Sequence, residues 1–137
     1  IKKMFKVKVY VHEEDNGMLD HPFNLSICDA EGVHADSFLK ASIGCFKVLH
    51  TPGHTFGSVC FYDEKEKVLF SGDTLFCGGF GRVDLPQSDA SLMVKSLKSL
   101  IKLPKDVKVY PGHGDLTTIG GEVGNVKHVL KSYFGVK

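Results

Sequence analysis

Three side chains that can bind metal each follow closely on an apolar, strand-like run of residues. They are His54, Asp73 and His113. A hydrolytic metal site needs imidazole and carboxylate groups that are held rigidly, with one coordination position left for water. The residue before each of the three is a glycine, which permits the tight turn and the close backbone approach that such a site requires. The sequence therefore predicts that these three residues bind metal.

Taken one at a time, these residues have simpler interpretations. A lone histidine after a Pro-Gly turn is usually a surface residue, and a Gly-Asp pair after a strand is usually only a turn. The three become informative because they occur in a fixed order with similar flanks. The other five histidines fit no such pattern, and we interpret them as structural or surface residues.

The elements that must position these residues follow from hydrophobic periodicity. Strands are predicted at 7–11, 46–49, 58–62, 68–70 and 107–110, and helices at 12–19, 90–102 and 122–134. Either Ser88 or Asp89 can cap the helix at 90–102. Residues 20–36 are predicted to form a loop. Residues 72–86 are rich in glycine and have no periodicity, and long irregular segments in a compact domain are often functional.

Four segments together resemble those of a known family. They are Thr51-Pro52-Gly53-His54-Thr55, Leu69-Phe70-Ser71-Gly72-Asp73-Thr74-Leu75-Phe76, Gly81-Arg82-Val83-Asp84-Leu85-Pro86 and Val109-Tyr110-Pro111-Gly112-His113-Gly114. In this order they resemble the glyoxalase II-like branch of the metallo-β-lactamase superfamily. The resemblance covers nearly the whole chain and is strongest from 46 to 118. It implies a single domain over 1–137 of the α/β (α+β) class, with the four-layer αββα sandwich of that superfamily, incomplete at its N-terminal side.

The resemblance also implies a role for each of the three residues. In this family, the histidine that matches His54 binds one metal, and the histidine that matches His113 binds a second. The aspartate that matches Asp73 bridges both metals and orients a hydroxide. The metals are usually two zinc ions, although iron and manganese accept the same ligands. The implied reaction is hydrolysis of a small-molecule thioester or ester, such as a glutathione conjugate of the hydroxyacylglutathione type, by a hydroxide that the metals share.

Two further residues are candidates for substrate binding. Arg82 and Asp84 lie in the irregular segment that follows Asp73. An arginine there could hold a carboxylate of a glutathione-like substrate through two parallel hydrogen bonds. Alternatively, Arg82 and Asp84 contact each other and shape the loop. The sequence favours neither alternative.

The first ligand motif of the family, His-x-His-x-Asp-His, does not occur in these residues. Two imidazoles and one carboxylate are fewer ligands than a dinuclear zinc site of this family has, and the part of the core before that motif should also be absent. We therefore expect an exposed apolar sheet face. These residues could be the ordered part of a longer enzyme, could be completed by a second chain, or could be truncated and inactive. The first explanation is favoured because the local features after Val7 agree with the family fold.

Two other functions compete with hydrolysis by the parent protein. The first is a persulfide dioxygenase of the same superfamily, which the resemblance also suggests and which uses one iron ion. In that case His54 and Asp73 are ligands, and His113 is not. The second is a non-catalytic interaction module that retains the fold without a complete metal site.

Composition excludes several other classes of protein. The formal net charge is +1, which gives no electrostatic case for binding nucleic acid or an anionic membrane. No apolar run approaches the length of a membrane span. The four cysteines contain no Cys-x-x-Cys pair, and unpaired thiols favour the reducing cytoplasm. An exposed half of a core would favour a homo-oligomer.

Overall fold

The computed structural model of the protein describes residues 10–18, 37–38 and 42–136. The strands are β1 Tyr10–Val11, β2 Ser37–Phe38, β3 Ser42–Ile43, β4 Phe46–His50, β5 Val59–Asp63, β6 Val68–Gly72, β7 Leu75–Phe76, β8 Gly79–Phe80, β9 Lys108–Pro111 and β10 Thr117–Thr118. The helices are a 3-10 helix over Glu13–Met18, α1 over Ala90–Leu100 and α2 over Ile119–Ser132.

Six of the strands form one mixed sheet, in the order β10-β9-β6-β5-β4-β3. Strands β3 to β6 make an antiparallel meander, whereas β9 pairs with β6 in parallel after a crossover that contains α1. The turn between β5 and β6 is held by Asp63, whose carboxylate accepts the backbone N–H groups of Lys65 and Glu66. Two small pairs lie outside this sheet, the parallel pair β1–β2 and the hairpin β7–β8.

One face of the six-stranded sheet is covered by α1 and α2. The fully buried side chains come from both layers: Cys60, Leu69, Val107 and Val109 from the sheet or its border, and Met93, Leu97, Leu100 and Ile119 from the helices. Asp89, one of the two predicted caps, begins α1 by accepting the N–H of Leu92. Burial of this apolar layer is the main source of stability for the described part of the chain.

The opposite face of the sheet is aromatic and partly open. The rings of Phe46 and Phe61 contact each other, Phe70 contacts Phe46, and Tyr110 lies against Phe70. Phe70 keeps 42% of its surface exposed although its neighbours along the strand are buried. The expectation of an exposed apolar sheet face is therefore met in the described residues.

The predicted strands at 46–49, 58–62, 68–70 and 107–110 are confirmed as β4, β5, β6 and β9, with boundaries shifted by at most two residues. The predicted helix at 90–102 ends at Leu100, and the predicted helix at 12–19 is the 3-10 helix. Of the strand predicted at 7–11, only Tyr10–Val11 is described. The loop predicted at 20–36 lies outside the described residues.

The start of the last helix was predicted wrongly. The sequence predicted that it begins at Glu122. Instead, Thr118 caps a helix that begins at Ile119, and its hydroxyl accepts the N–H of Gly121. A Cβ atom at Gly120 would lie 2.9 Å from the carbonyl oxygen of Lys105, so close packing at the start of α2 requires a glycine there.

Candidate metal centre

The three predicted ligands meet at one edge of the sheet. His54 follows β4, Asp73 follows β6 and His113 follows β9. Strand β4 is antiparallel to β5, which is antiparallel to β6, while β9 is parallel to β6. All three strands consequently run in the same direction, and their carboxyl ends reach the same edge. The structure thus brings the three residues together at the ends of strands, and metal binding by them stays a prediction.

Asp73 lies between the two histidines. Its Oδ2 atom is 3.5 Å from Nε2 of His54, and its Oδ1 atom is 3.5 Å from Nε2 of His113. Both distances are longer than a good hydrogen bond. Within the described residues, no group of three or more His, Cys, Asp or Glu side chains is arranged to hold a metal ion by itself. The arrangement is thus two histidine–carboxylate pairs that share one aspartate, and each pair would need further ligands.

The ring of His54 is fixed by a backbone contact on its other side. Its Nδ1 atom lies 3.0 Å from the carbonyl oxygen of Arg82. A carbonyl oxygen only accepts, so Nδ1 carries the proton and donates it. In the neutral ring, Nε2 then has a free lone pair on the side that faces Asp73. A histidine that is oriented in this way by a carbonyl group is the usual form of an imidazole metal ligand.

Two glycines, Gly81 and Gly112, lie very close to Asp73. A Cβ atom at Gly81 would lie 1.8 Å from the carbonyl oxygen of Asp73, and a Cβ atom at Gly112 would lie 2.4 Å from its Oδ1 atom. At Gly81 the backbone of Asp73 leaves no room for a side chain, and at Gly112 a side chain would displace the carboxylate of Asp73. The carboxylate and the two imidazoles are donors that zinc, iron and manganese accept, so the donor set fits a divalent metal.

Comparison with known proteins places the chain in a family. Residues 3–113 match the family model described as "Metallo-beta-lactamase superfamily". The chain belongs to this superfamily. Membership of the metallo-β-lactamase superfamily implies metal ions without specifying the element.

Two relatives in the superfamily carry names that include an activity. The hydroxyacylglutathione hydrolase GloC of Haemophilus influenzae is 45% identical over 78 residues, which cover 56% of this chain and 37% of the relative. The hydroxyacylglutathione hydrolase of Francisella tularensis subsp. novicida is 36% identical over 117 residues, which cover 82% of this chain and 43% of the relative. The chain thus spans less than half of the length of either relative.

Solved structures of the superfamily show the same fold. A B3 metallo-β-lactamase, BLEG-1, is 38% identical with a TM-score of 0.77, covering 90% of this chain and 65% of its own. TTHA1623, solved in a di-iron-bound form, is 35% identical with a TM-score of 0.78, covering 88% of this chain and 64% of its own. ETHE1 from Myxococcus xanthus, at 23% identity and a TM-score of 0.69, covers 96% of this chain and 60% of its own and shares the fold. The predicted fold class, a mixed sheet with helices of the metallo-β-lactamase type, is confirmed.

Arg82 and Asp84 form an ion pair with each other. Nε of Arg82 donates to Oδ1 of Asp84 at 2.7 Å, and a terminal guanidinium nitrogen donates to Oδ2 at 2.8 Å. These hydrogen bonds raise the pKa of Arg82 and lower the pKa of Asp84 from their usual values. Both side chains remain more than 60% exposed, at 63% and 67%. The contact that shapes the loop is therefore present, and a role in substrate binding stays a prediction.

Two carboxylates near the centre were missed by the sequence analysis. Asp15, in the 3-10 helix, accepts the hydroxyl of Thr55 at 2.6 Å and the N–H of Gly57 at 2.8 Å. It thereby holds the loop that carries His54. Glu122 is only 2% exposed within α2. Both lie at or near the start of a predicted helix, where acids are common, and no local signal distinguishes a buried acid from an exposed one at such positions.

Two other histidines hold the 3-10 helix against β4. The rings of His12 and His50 are stacked, with their centroids 4.2 Å apart. Nε2 of His50 donates to the carbonyl oxygen of Phe56 at 2.8 Å, whereas Nδ1 of His12 accepts the N–H of Glu14 at 3.3 Å. These contacts agree with the structural role that was predicted for both.

An open cleft of about 430 Å³ lies beside the centre. His54 and Asp73 form part of its wall, and Tyr10, His12 and Phe61 line it further out. The cleft therefore borders two of the three predicted ligands. Among the described residues, neither α-helix is long and apolar enough to cross a membrane.

Proposed function

We propose that the protein containing this chain is a metal-dependent hydrolase of thioesters, of the kind that cleaves hydroxyacylglutathione. The observation that carries the proposal is the placement of Asp73, which offers one carboxylate oxygen to each of two imidazoles at the same distance of 3.5 Å. A carboxylate with a histidine on either side suits two metal positions that share it. The names of the two hydroxyacylglutathione hydrolases support the substrate class.

Each residue of the centre would have its own task. His54, Asp73 and His113 would hold the metal ions, with zinc as the first expectation and iron or manganese as alternatives. When bound, such ions supply Lewis acidity and lower the pKa of water. The hydrogen bond that Nδ1–H of His54 donates to the carbonyl group of Arg82 would keep Nε2 turned to the centre. Asp73, which faces both imidazoles, would orient the attacking water, and Arg82 with Asp84 would line the approach of a substrate carboxylate.

We also propose that residues 1–137 form the C-terminal portion of one metallo-β-lactamase domain, and that further metal ligands come from outside them.

The described cysteines Cys45, Cys60 and Cys77 are free thiols. Free thiols suit a reducing compartment, so the proposal includes a cytoplasmic location.

The iron-dependent persulfide dioxygenase remains the alternative. In that function His113 would be a bystander, and nothing would require it to approach Asp73 as closely as His54 does. The equal distances of the two imidazoles favour two metal positions instead. The fold shared with ETHE1 is common to the whole superfamily and does not separate these functions.

The proposal is tested in the complete protein by release of free thiol from a hydroxyacylglutathione thioester, with metal content measured on the same sample. The variant is Asp73→Asn. The matched control is Asp106→Asn, which removes the same charge from an exposed ion pair with Lys67. We expect Asp73→Asn to lower kcat/KM by more than about a hundredfold, the upper end for loss of a supporting partner, and the control to be unchanged.

Three other results would contradict the proposal. Full thioesterase activity in Asp73→Asn would show that the reaction does not require the carboxylate of Asp73. Oxygen uptake with glutathione persulfide, with a single iron and without thioesterase activity, would favour the dioxygenase. Complete protein that binds no metal and hydrolyses no thioester would favour the non-catalytic interaction module.

A further inference from the structure

Glu122 is a buried carboxylate with three hydrogen-bond donors around it. Its Oε1 atom accepts the hydroxyl of Thr117 at 2.6 Å, and its Oε2 atom accepts the N–H of Gly78 and the side-chain amide of Asn125, both at 3.0 Å. The side chain is 2% exposed. Among the described residues, every buried side-chain nitrogen or oxygen atom has a hydrogen-bond partner, so Glu122 belongs to a satisfied network.

The contact with Gly78 ties Glu122 to the tip of the β7–β8 hairpin. Gly78 has a φ angle of +72°, and it forms the turn of the hairpin together with Cys77. Glu122 is 44 residues away along the chain, in the helix that follows β9 and β10. The hydrogen bond therefore anchors the irregular segment after Asp73 to the rigid helix α2.

The same hairpin reaches both histidines of the centre. On its first strand, the ring of Phe76 meets the ring of His113 edge to face, with centroids 5.9 Å apart. After its second strand, Gly81 packs against Asp73, and the carbonyl group of Arg82 accepts the Nδ1–H of His54. A displacement of the hairpin would thus move the supports of His54 and His113 together.

Glu122 also restrains His113 from the other direction. Thr117, which donates to Oε1, is in β10, and the loop from His113 to Thr117 connects β9 to β10. The carboxylate consequently joins the hairpin on one side and the end of the His113 loop on the other. No local sequence feature predicts this link, because it depends on the docking of α2.

We propose that Glu122 is a positioning residue for the candidate metal centre. It holds the β7–β8 hairpin and the His113 loop in register, so that Phe76 supports one imidazole and the Arg82 carbonyl group orients the other. The inference concerns the geometry of this chain, and its effect on metal affinity rests on the proposed function.

The hydrogen-bond pattern predicts which substitutions are tolerated. Glutamine can keep its oxygen at the Oε2 position and place its amide group at the Oε1 position, because the hydroxyl of Thr117 can accept as well as donate. Alanine leaves three donors without a partner, and an unpaired buried polar group is costly. Glu122→Gln should therefore preserve the hairpin, and Glu122→Ala should release it.

The test compares three variants of the complete protein. They are Glu122→Ala, Glu122→Gln and the control Leu100→Ala, which opens a cavity in the core at the end of α1 and removes none of the hydrogen bonds of Glu122. Two quantities are measured: the tautomer of His54 in metal-free protein, from ring nitrogen chemical shifts, and the affinity for zinc, by competition with a chromogenic chelator. Thermal unfolding of each variant shows how much stability it has lost.

We expect the Nδ1–H tautomer of His54 to dominate in the unsubstituted protein and to lose population in Glu122→Ala, because the Arg82 carbonyl group is no longer held in place. Zinc affinity should fall about tenfold, within the range for loss of an outer hydrogen-bond partner of a ligand. Glu122→Gln should restore both values. Leu100→Ala should lose stability and change neither.

Several outcomes would overturn the inference. One is a Glu122→Ala protein with an unchanged His54 tautomer and unchanged zinc affinity. Another is Leu100→Ala shifting both quantities as strongly, which would make the effect one of general destabilisation. If Glu122→Ala does not fold, Thr117→Val removes only the link between Glu122 and the His113 loop, and an unaltered zinc affinity in that variant would count equally against the inference. Absence of zinc, iron and manganese binding in the unsubstituted protein would refute the proposed function, while the tautomer would still decide the role of Glu122.

Discussion

Gly81 packs so tightly on Asp73 that a Cβ atom at position 81 would lie 1.8 Å from the carbonyl oxygen of Asp73 and 3.3 Å from Cβ of His54. No rotation of a side chain can relieve the first contact, since both partners are fixed backbone atoms. The loop that follows β8 is therefore in position only because residue 81 lacks a side chain. That loop carries the carbonyl group that orients His54.

The first prediction concerns the substitution Gly81→Ala. It should push the loop away from Asp73 and cost about 3 kcal/mol of unfolding free energy, the upper part of the range for overpacking. It should also weaken metal binding, because the contact between His54 and the Arg82 carbonyl group is lost. Urea unfolding and a zinc competition assay measure the two effects.

The matched control for this prediction is Gly124→Ala. Gly124 is exposed on α2, and a Cβ atom there would meet nothing within 4 Å. Alanine should stabilise the helix by about 0.5–1 kcal/mol relative to glycine. Equal stability changes in the two variants would show that Gly81 is not constrained by packing.

The second prediction concerns Asp15, which holds the His54 loop from the 3-10 helix. Asp15→Ala removes the acceptor of the Thr55 hydroxyl and of the buried Gly57 N–H group. We expect a loss of about 1–3 kcal/mol, the cost of unpaired buried polar groups. Asp106→Ala, which breaks only an exposed ion pair with Lys67, should cost much less, because solvent screens exposed pairs. Chemical denaturation of both variants measures the difference, and a cost no larger than that of the control would contradict it.

The position of the candidate centre could be predicted from the sequence for a physical reason. His54, Asp73 and His113 each follow a strand directly, and the pairing of β4, β6 and β9 brings the ends of those strands together. Local residue order therefore carries information about a shared edge. The resemblance to a known family made the choice of these three residues specific.

The supports of the centre could not be predicted in the same way. Glu122 reads as an acid that favours a helix N-terminus, and only the docking of a hairpin 44 residues away shows that it is buried. The start of α2 was predicted at Glu122, whereas the helix begins at Ile119, and Gly120 there packs too closely against Lys105 for a side chain. In both cases the deciding contact is distant in sequence.

The third prediction separates the two interpretations of Arg82. If Arg82 binds a substrate carboxylate, Arg82→Ala should raise KM for an acylglutathione about tenfold with kcat retained, because charge-assisted hydrogen bonds to the substrate are lost. Asp84→Ala, which frees the guanidinium group from its present partner, should lower KM. Both variants should unfold at nearly the same denaturant concentration as the unsubstituted protein, since the pair is exposed. An unchanged KM in Arg82→Ala would leave only the role in shaping the loop.

The fourth prediction concerns the reactivity of two cysteines. Burial raises the pKa of the Cys60 thiol to about 11, and the side chain is completely buried. A hydrogen bond from the thiol of Cys45 to the carboxylate of Asp63 raises the pKa of this exposed cysteine from its usual value. The thiolate is the nucleophile, so a raised pKa lowers the rate of alkylation near pH 8. Cys60 should therefore resist iodoacetamide in the native protein, and Cys45 should react more slowly than its exposure suggests.

The substitution Asp63→Asn tests the electrostatic part of this argument. It removes the negative charge next to the thiol but keeps an oxygen that can accept the N–H groups of Lys65 and Glu66. The pKa of Cys45 should fall toward its usual value, so that more thiolate is present near pH 8 and alkylation is severalfold faster. Mass spectrometry of peptides from the alkylated protein follows each cysteine separately, and the exposed Cys77 in the same sample is the internal control. If Cys45 and Cys77 accelerate together, the cause is a change in structure and not the charge of Asp63.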